Sequence, residues 1–235
     1  GFDKALELLR AFGDDLGIEQ AFDRALGMSS RAFDRELLRY IEDDLLRGIQ
    51  LVQRFDPATV GRLMAAARAD ARNLDARVDL AWAGLQQDNP VDAGRWLSEV
   101  LRQEPRHPEG MLVRAEMLRR RGQLEAAREH YELGFGGGAD DFDSRIRCGE
   151  VLLELGAVDE AIEMFGRAKA CWPSCTEQAT APELRIAAIY RGRGDQAKAQ
   201  AEMKAFVRRT ARAFAPRFTL AEFERDAGDR AAELK

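Results

Sequence analysis

Histidine is nearly missing from this sequence. His107 and His130 are its only two, neither lies in an HExxH, and the helical zinc-hydrolase arrangement is therefore excluded. Cys148, Cys171 and Cys175 are too few for the disulfide framework of a small secreted domain, and with no histidine beside them they make a poor zinc set. None of the five serines falls in a Gly-x-Ser-x-Gly elbow, so no nucleophile constellation forms; the expectation is a chain with no catalytic residue, metal or cofactor of its own. No apolar run approaches the roughly 20 residues that cross a bilayer, which argues against membrane insertion. Lysine is scarce too, with five among 36 basic residues. An arginine- and alanine-rich chain of this kind points to a GC-rich bacterial genome. Those 36 are interspersed with 41 acidic residues for a net charge of −5, and no basic block marks a nucleic-acid footprint. The compartment stays open.

What is present is a register. The 235 residues are 46% hydrophobic, ample for a packed core. A small residue recurs at Ala81, Ala115, Gly149, Ala187 and Ala221, with steps of 34 residues except for one of 38. Seven residues after each comes a turn former: Asp88, Gly122, Gly156, Gly194 and Gly228. Ala93, Ala127, Ala161 and Ala199 follow, each with a large apolar residue four later: Leu97, Tyr131, Phe165 and Met203. Pro105 and Pro173 close two of the copies. Small residues let two antiparallel helices approach, glycine ends the first in a left-handed conformation, the large residue fills the crossing, and proline stops the second.

This pattern resembles the tetratricopeptide repeat. The copies span about 74–107, 108–141, 142–175, 180–213 and a truncated 214–235, within a repeat region 55–235. The resemblance implies an all-α, right-handed α-solenoid of helix–turn–helix units. In the first copy Asp88-Asn89-Pro90 replaces the turn glycine, and four extra residues, 176–179, displace the fourth. "DPATVGRLMAAARADARNL" (56–74) reads as a helix capped by Asp56 that packs on the first full copy as half of a degenerate one.

Residues 1–54 do not carry the register and read as a small helical cap: helices over Phe2–Phe12, Ile18–Leu26 and from about Ser30 to Val52. "GIEQAFDRALGMSSRAFDRELLRYI" is similar to the closing segment of peptidase MA-like (gluzincin) metallopeptidase domains, which tetratricopeptide repeats follow in many bacterial proteins. That resemblance covers about the first 45 residues and implies a zinc site; with no HExxH here, no catalytic residue carries over. It gives the alternative reading, an accessory region whose catalytic domain lies upstream, consistent with a chain that begins at Gly1 and reads as a piece of something longer.

The concave groove of such a solenoid is its default binding surface. Its expected lining is Val78, Trp82, Leu112, Glu116, Arg119, Ile146, Glu150, Leu184, Arg191 and Phe218, an apolar floor with alternating Glu and Arg suited to an amphipathic helix or extended peptide. Trp82 is the expected anchor, set against the alternative that it packs on the preceding helix pair. Some tetratricopeptide domains clamp a partner's terminal carboxylate with Lys and Asn; the matching positions here are apolar or acidic, which argues against that mode. Cys171 and Cys175 in "CWPSC" form a disulfide in an oxidising compartment and stay thiols in a reducing one. "GGGADDFD" lacks the strand and Gly-Lys-Ser/Thr of a phosphate loop and reads as a helix end followed by a cap. The partner class is thus a protein or peptide. Self-association through the last copy, which carries Phe218, Leu220 and Phe223 and ends at Lys235, is a further expectation.

Overall fold

A computed structural model of the protein describes residues 2–41, 55–210 and 214–233; the end expected for the third helix at Val52, the side chain of Phe223, and Lys235 lie outside the described residues. The chain divides into two compact units, Gly1–Ile49 and Gln50–Lys235. All regular structure among the described residues is helical.

In the first unit, α1 (Phe2–Gly13) and α2 (Ile18–Leu26) form a hairpin around buried Ala11, Ala21 and Ala25. α3 (Ser30–Tyr40) follows, its first turn capped by Ser29 Oγ accepting from the Ala32 N–H. Phe22 meets Phe33 edge to face at 5.4 Å. At the α1–α2 turn Asp15 is left-handed (φ 57°) and the Leu16 N–H donates to the Ala11 carbonyl at 3.3 Å. That closure, from a residue to the carbonyl five before it, is the same one found at Asn89, Gln123, Ala157 and Asp195 in the second unit. The head therefore holds a repeat-like hairpin that the 34-residue register did not show. Its turn is one residue longer, with the cap of α2 at Gly17, two past the left-handed residue rather than one.

The second unit opens with α4 (Pro57–Ala69), capped by Asp56 Oδ1 accepting from the Thr59 N–H at 2.6 Å. Val60, Leu63, Met64 and Ala67 pack on Ala76 and Leu80 of α5, the half-repeat arrangement expected for this segment. Arg77 locks it: its buried guanidinium donates to the carbonyls of Ala67, Asp70 and Asn73 and pairs with Glu99. Four helical hairpins follow: α5 (Leu74–Gln86) with α6 (Pro90–Gln103), α7 (Pro108–Arg120) with α8 (Leu124–Gly136), α9 (Phe142–Glu154) with α10 (Val158–Cys171), and α11 (Pro182–Gly192) with α12 (Gln196–Val207). In three of them the residue at the turn is a glycine with positive φ, Gly122, Gly156 and Gly194; Asp88 takes that conformation in the first.

Closeness at the crossings explains the small-residue stripe. A Cβ at Gly149 would lie 2.5 Å from Phe165 of α10, so an aromatic filler stands opposite the smallest crossing residue. The irregular end of α8 is held by Arg145, whose guanidinium lies 3.9 Å from the Phe135 ring centre and donates to Asp140 Oδ1 at 2.8 Å. Asp141 caps α9 through the Ser144 N–H, as expected for "GGGADDFD". α13 (Phe214–Glu233) departs from the expected pattern. It runs as one helix through Gly228, where the register places a turn. A lone glycine costs a helix only about 1 kcal/mol, and no second helix packs back on α13 among the described residues to favour a break there.

Candidate functional site

The first helices α5, α7 and α9 pack side by side, so corresponding side chains of successive repeats form rows along one face. Position five of the first three repeats does not reach that face. Val78, Leu112 and Ile146 are 0%, 2% and 4% exposed and belong to the core, a correction to the expected lining. The cause is the second helix of the same repeat: a Cβ at Gly134 would lie 2.5 Å from Leu112 Cδ2. Leu184 is half-buried in the cluster that holds Phe206, and Phe218 is exposed.

Position nine carries the chemistry. Glu116 is fully buried, yet ionised: burial alone would raise its carboxyl, but the guanidinium groups of Arg119, Arg147 and Arg120 outweigh it and hold it below the usual carboxylate range. Arg119 donates to both Glu116 oxygens at 2.8 and 3.0 Å, Arg120 at 2.7 Å, and the Tyr131 hydroxyl donates at 3.3 Å. Arg120 also donates to the Leu85 carbonyl, and Arg147 Nη1 stands 3.9 Å from Glu116, so this one carboxylate ties three successive repeats together. Glu116 and Arg119 thus serve the fold more than a partner. Trp82 is half-buried, packed against the clusters of both the first and the later repeats, with the Arg147 guanidinium 5.8 Å from its ring centre. Glu150 accepts from Arg185 at 2.6 Å, and exposed Arg191 lines a separate cleft of about 190 Å³ with Leu184, Ala188 and Met203.

The sequence reading missed the residues at positions two and six. Asp75, Glu109 and Asp143 occupy position two in three successive repeats, and Asp79 position six of the first; the 34-residue spacing of those acids was the available signal. Burial, Glu109 and Asp75, in that order, push the Asp79 carboxyl up to about 6. Glu109 is raised by burial and by Asp75 and Asp141, against His107; Asp143 is raised by burial, against Arg147. The result is an acidic row across α5, α7 and α9 in which Asp79 and Asp143 are half-buried and Asp75 and Glu109 exposed, with Arg147 pairing with Asp143 at 3.6 Å.

Cys171 and Cys175 are free thiols that face different neighbours: Cys171 Sγ lies 3.4 Å from Asp140 Oδ1, and Cys175 Sγ 4.0 Å from Thr180 Oγ1. Burial pushes the thiols of Cys148 and Cys171 up to about 12 and 11. Among the described residues no three His, Cys, Asp or Glu side chains converge as a metal site, and no helix is long and apolar enough to cross a membrane.

No family model and no curated protein matches the sequence. Solved structures do. YrrB, described as a tetratricopeptide protein with an unusual peptide-binding site, superposes with a TM-score of 0.58 at 12% identity over 73% of this chain and 86% of its own. The fold is that of the tetratricopeptide repeat. PilF of Pseudomonas aeruginosa matches with a TM-score of 0.56 at 15% identity over 82% of this chain and 87% of its own. Yeast Tom70 matches 97% of this chain with 47% of its own, with a TM-score of 0.55 and 16% identity. The right-handed tetratricopeptide solenoid is thus established. The metallopeptidase resemblance of the head finds no support among these structures.

Proposed function

We propose that this tetratricopeptide chain is a non-catalytic recognition module that holds a cationic segment of a partner protein along α5, α7 and α9. One observation carries the reading: half-buried Asp79 stands among the exposed carboxylates of Asp75 and Glu109, and the charges that act most strongly on it are both repulsive, while Asp143 farther along the row already pairs with Arg147 at 3.6 Å. Like charges brought together under partial burial cost stability, and such costs are retained where function needs them. A Lys- or Arg-bearing segment relieves the repulsion, and Trp82 offers its stem an apolar wall. The same charge repels a nucleic-acid backbone. YrrB, of the same fold, carries a peptide-binding site, which agrees with a peptide-like ligand.

The test is fluorescence anisotropy with two labelled 12-residue peptides of equal hydrophobicity, one lysine-bearing and one glutamate-bearing. The lysine peptide is expected to bind with a micromolar Kd and to lose about tenfold on Asp79→Asn with Glu109→Gln. Its affinity falls as the pH drops from 7 to 5, because protonated Asp79 no longer attracts a cation. Equal affinity for both peptides, or binding unchanged in the double variant, contradicts the proposal.

A further inference from the structure

Position five of every complete repeat, and position one of the second and third, are covered by that repeat's own second helix or the residues just after it. A Cβ at Gly137, beyond α8, would lie 2.9 Å from Pro108 Cγ, and one at Gly134 would lie 2.5 Å from Leu112. Phe142 meets Trp172, past the end of α10, edge to face at 5.1 Å, and Leu184 shares a cluster with Phe206 of α12. On α13 the same two positions are Phe214 and Phe218. They are 77% and 68% exposed.

α13 is held from the other side. Arg217 donates to the carbonyls of Val207 and Thr210 at 2.7 and 3.0 Å, and Leu220 packs against the cluster of Ala181, Phe206 and Val207. Those anchors fix the rotation of the helix. The uncovered face is therefore the one that α6, α8, α10 and α12 cover in the four repeats before it, and the fold itself shows what such a face takes: an antiparallel helix with a small residue at the crossing.

We infer that this face pairs with the α13 of a second copy of the chain. The face is complementary to itself. Exposed Ala221 lies seven residues after Phe214, so two α13 helices crossing antiparallel about residues 217 and 218 set each Phe214 ring against the other copy's Ala221. This is the large-on-small packing that places Leu112 over Gly134 and Phe165 over Gly149. A patch that complements itself across a two-fold axis closes as a dimer, since both copies use it up. Four phenylalanines and their surroundings bury on the order of 1,000 Å² in total, at the low end for specific interfaces, so the dimer is weak, with a Kd of about tens of micromolar.

Sedimentation velocity from 1 to 300 µM is the test. The 26.3 kDa chain is expected to pass from monomer toward dimer across that range. Phe214→Glu and Phe218→Glu each weaken the dimer more than tenfold, while circular dichroism and the thermal midpoint stay unchanged because both residues are exposed. The register has its own check: mixing Phe214→Cys chains with Ala221→Cys chains under mild oxidation traps a crosslinked heterodimer. A monomer at every concentration overturns the inference, as does a dimer indifferent to both glutamate variants. A dimer without the heterodimer crosslink overturns the antiparallel register.

Discussion

The third repeat and α13 share one register and have opposite fates. Phe142 and Ile146 are buried beneath their own second helix, while Phe214 and Phe218 at the same positions stand in solvent. Burial in a solenoid is decided by the neighbouring helix, not by the residue. The same contrast runs along the first helices: α5, α7 and α9 present acids to one face, whereas α11 presents Arg185 and Arg191.

The sharpest way to break the first comparison is to truncate one phenylalanine on each side. Phe165→Ala, in the wholly buried crossing of the third repeat, is expected to cost about 3–5 kcal/mol, read from the urea midpoint. Phe218→Ala, measured at a concentration where the chain is monomeric, costs less than about 0.5 kcal/mol. Next comes Glu116→Gln, which leaves three arginines facing a neutral amide and costs about 3 kcal/mol. Since that carboxyl is held below its ordinary range, its contribution is full at neutral pH and fades as the pH falls through its folded value, so the difference between wild type and variant narrows in acid. Arg77→Met strands the Ala67, Asp70 and Asn73 carbonyls at a cost of about 2 kcal/mol, with hydrogen exchange in α4 rising more than in α9.

The smallest effect sharpens the second comparison. Asp79 has its carboxyl near 6 in the fold, so protonation favours the folded chain. That contribution is complete below the ordinary value of 3.8 and lost as the pH rises through 6. Asp79→Asn, neutral at every pH, is therefore expected to stabilise the chain at pH 7.5 by about 1 kcal/mol, a figure reduced for partial exposure. At pH 3.5 it makes no difference. Arg191→Gln on α11, exposed at the other end, changes stability by less than about 0.5 kcal/mol.

The fold was legible because it is written in small residues. Ala81, Ala115, Gly149 and Ala187 at the crossings, with their left-handed turns, state the helix pairing without reference to distant sequence. The hairpin in the head was hidden because Leu8 stands where the repeats have a small crossing residue, Ala25 where they have a large filler, and one extra turn residue shifts the second helix. Gly228 misled for the opposite reason: a turn glycine is permissive, and with no second helix packed back on it among the described residues α13 continues. The face was harder to read than the fold. Position five was assigned to the groove from its place in the repeat, but whether Val78, Leu112 and Ile146 reach that face depends on the volume of the second helix. Trp82 was expected as the anchor and Glu116 as part of the lining, yet each bridges repeats, a role that only the packing reveals. The acidic residues at position two lay in plain register and were passed over because a single Asp near a helix start reads as a cap.

The central claim is that half-buried Asp79, with exposed Asp75 and Glu109 beside it, awaits a positive charge. Carbon-detected NMR titration of the Asp79 side chain, with and without a saturating 12-residue lysine-bearing peptide, tests it most directly. The account predicts a midpoint near 6 in the free chain that falls by a unit or more when the peptide is bound. A midpoint near the ordinary 3.8 in the free chain, or one that the peptide leaves unmoved, contradicts it.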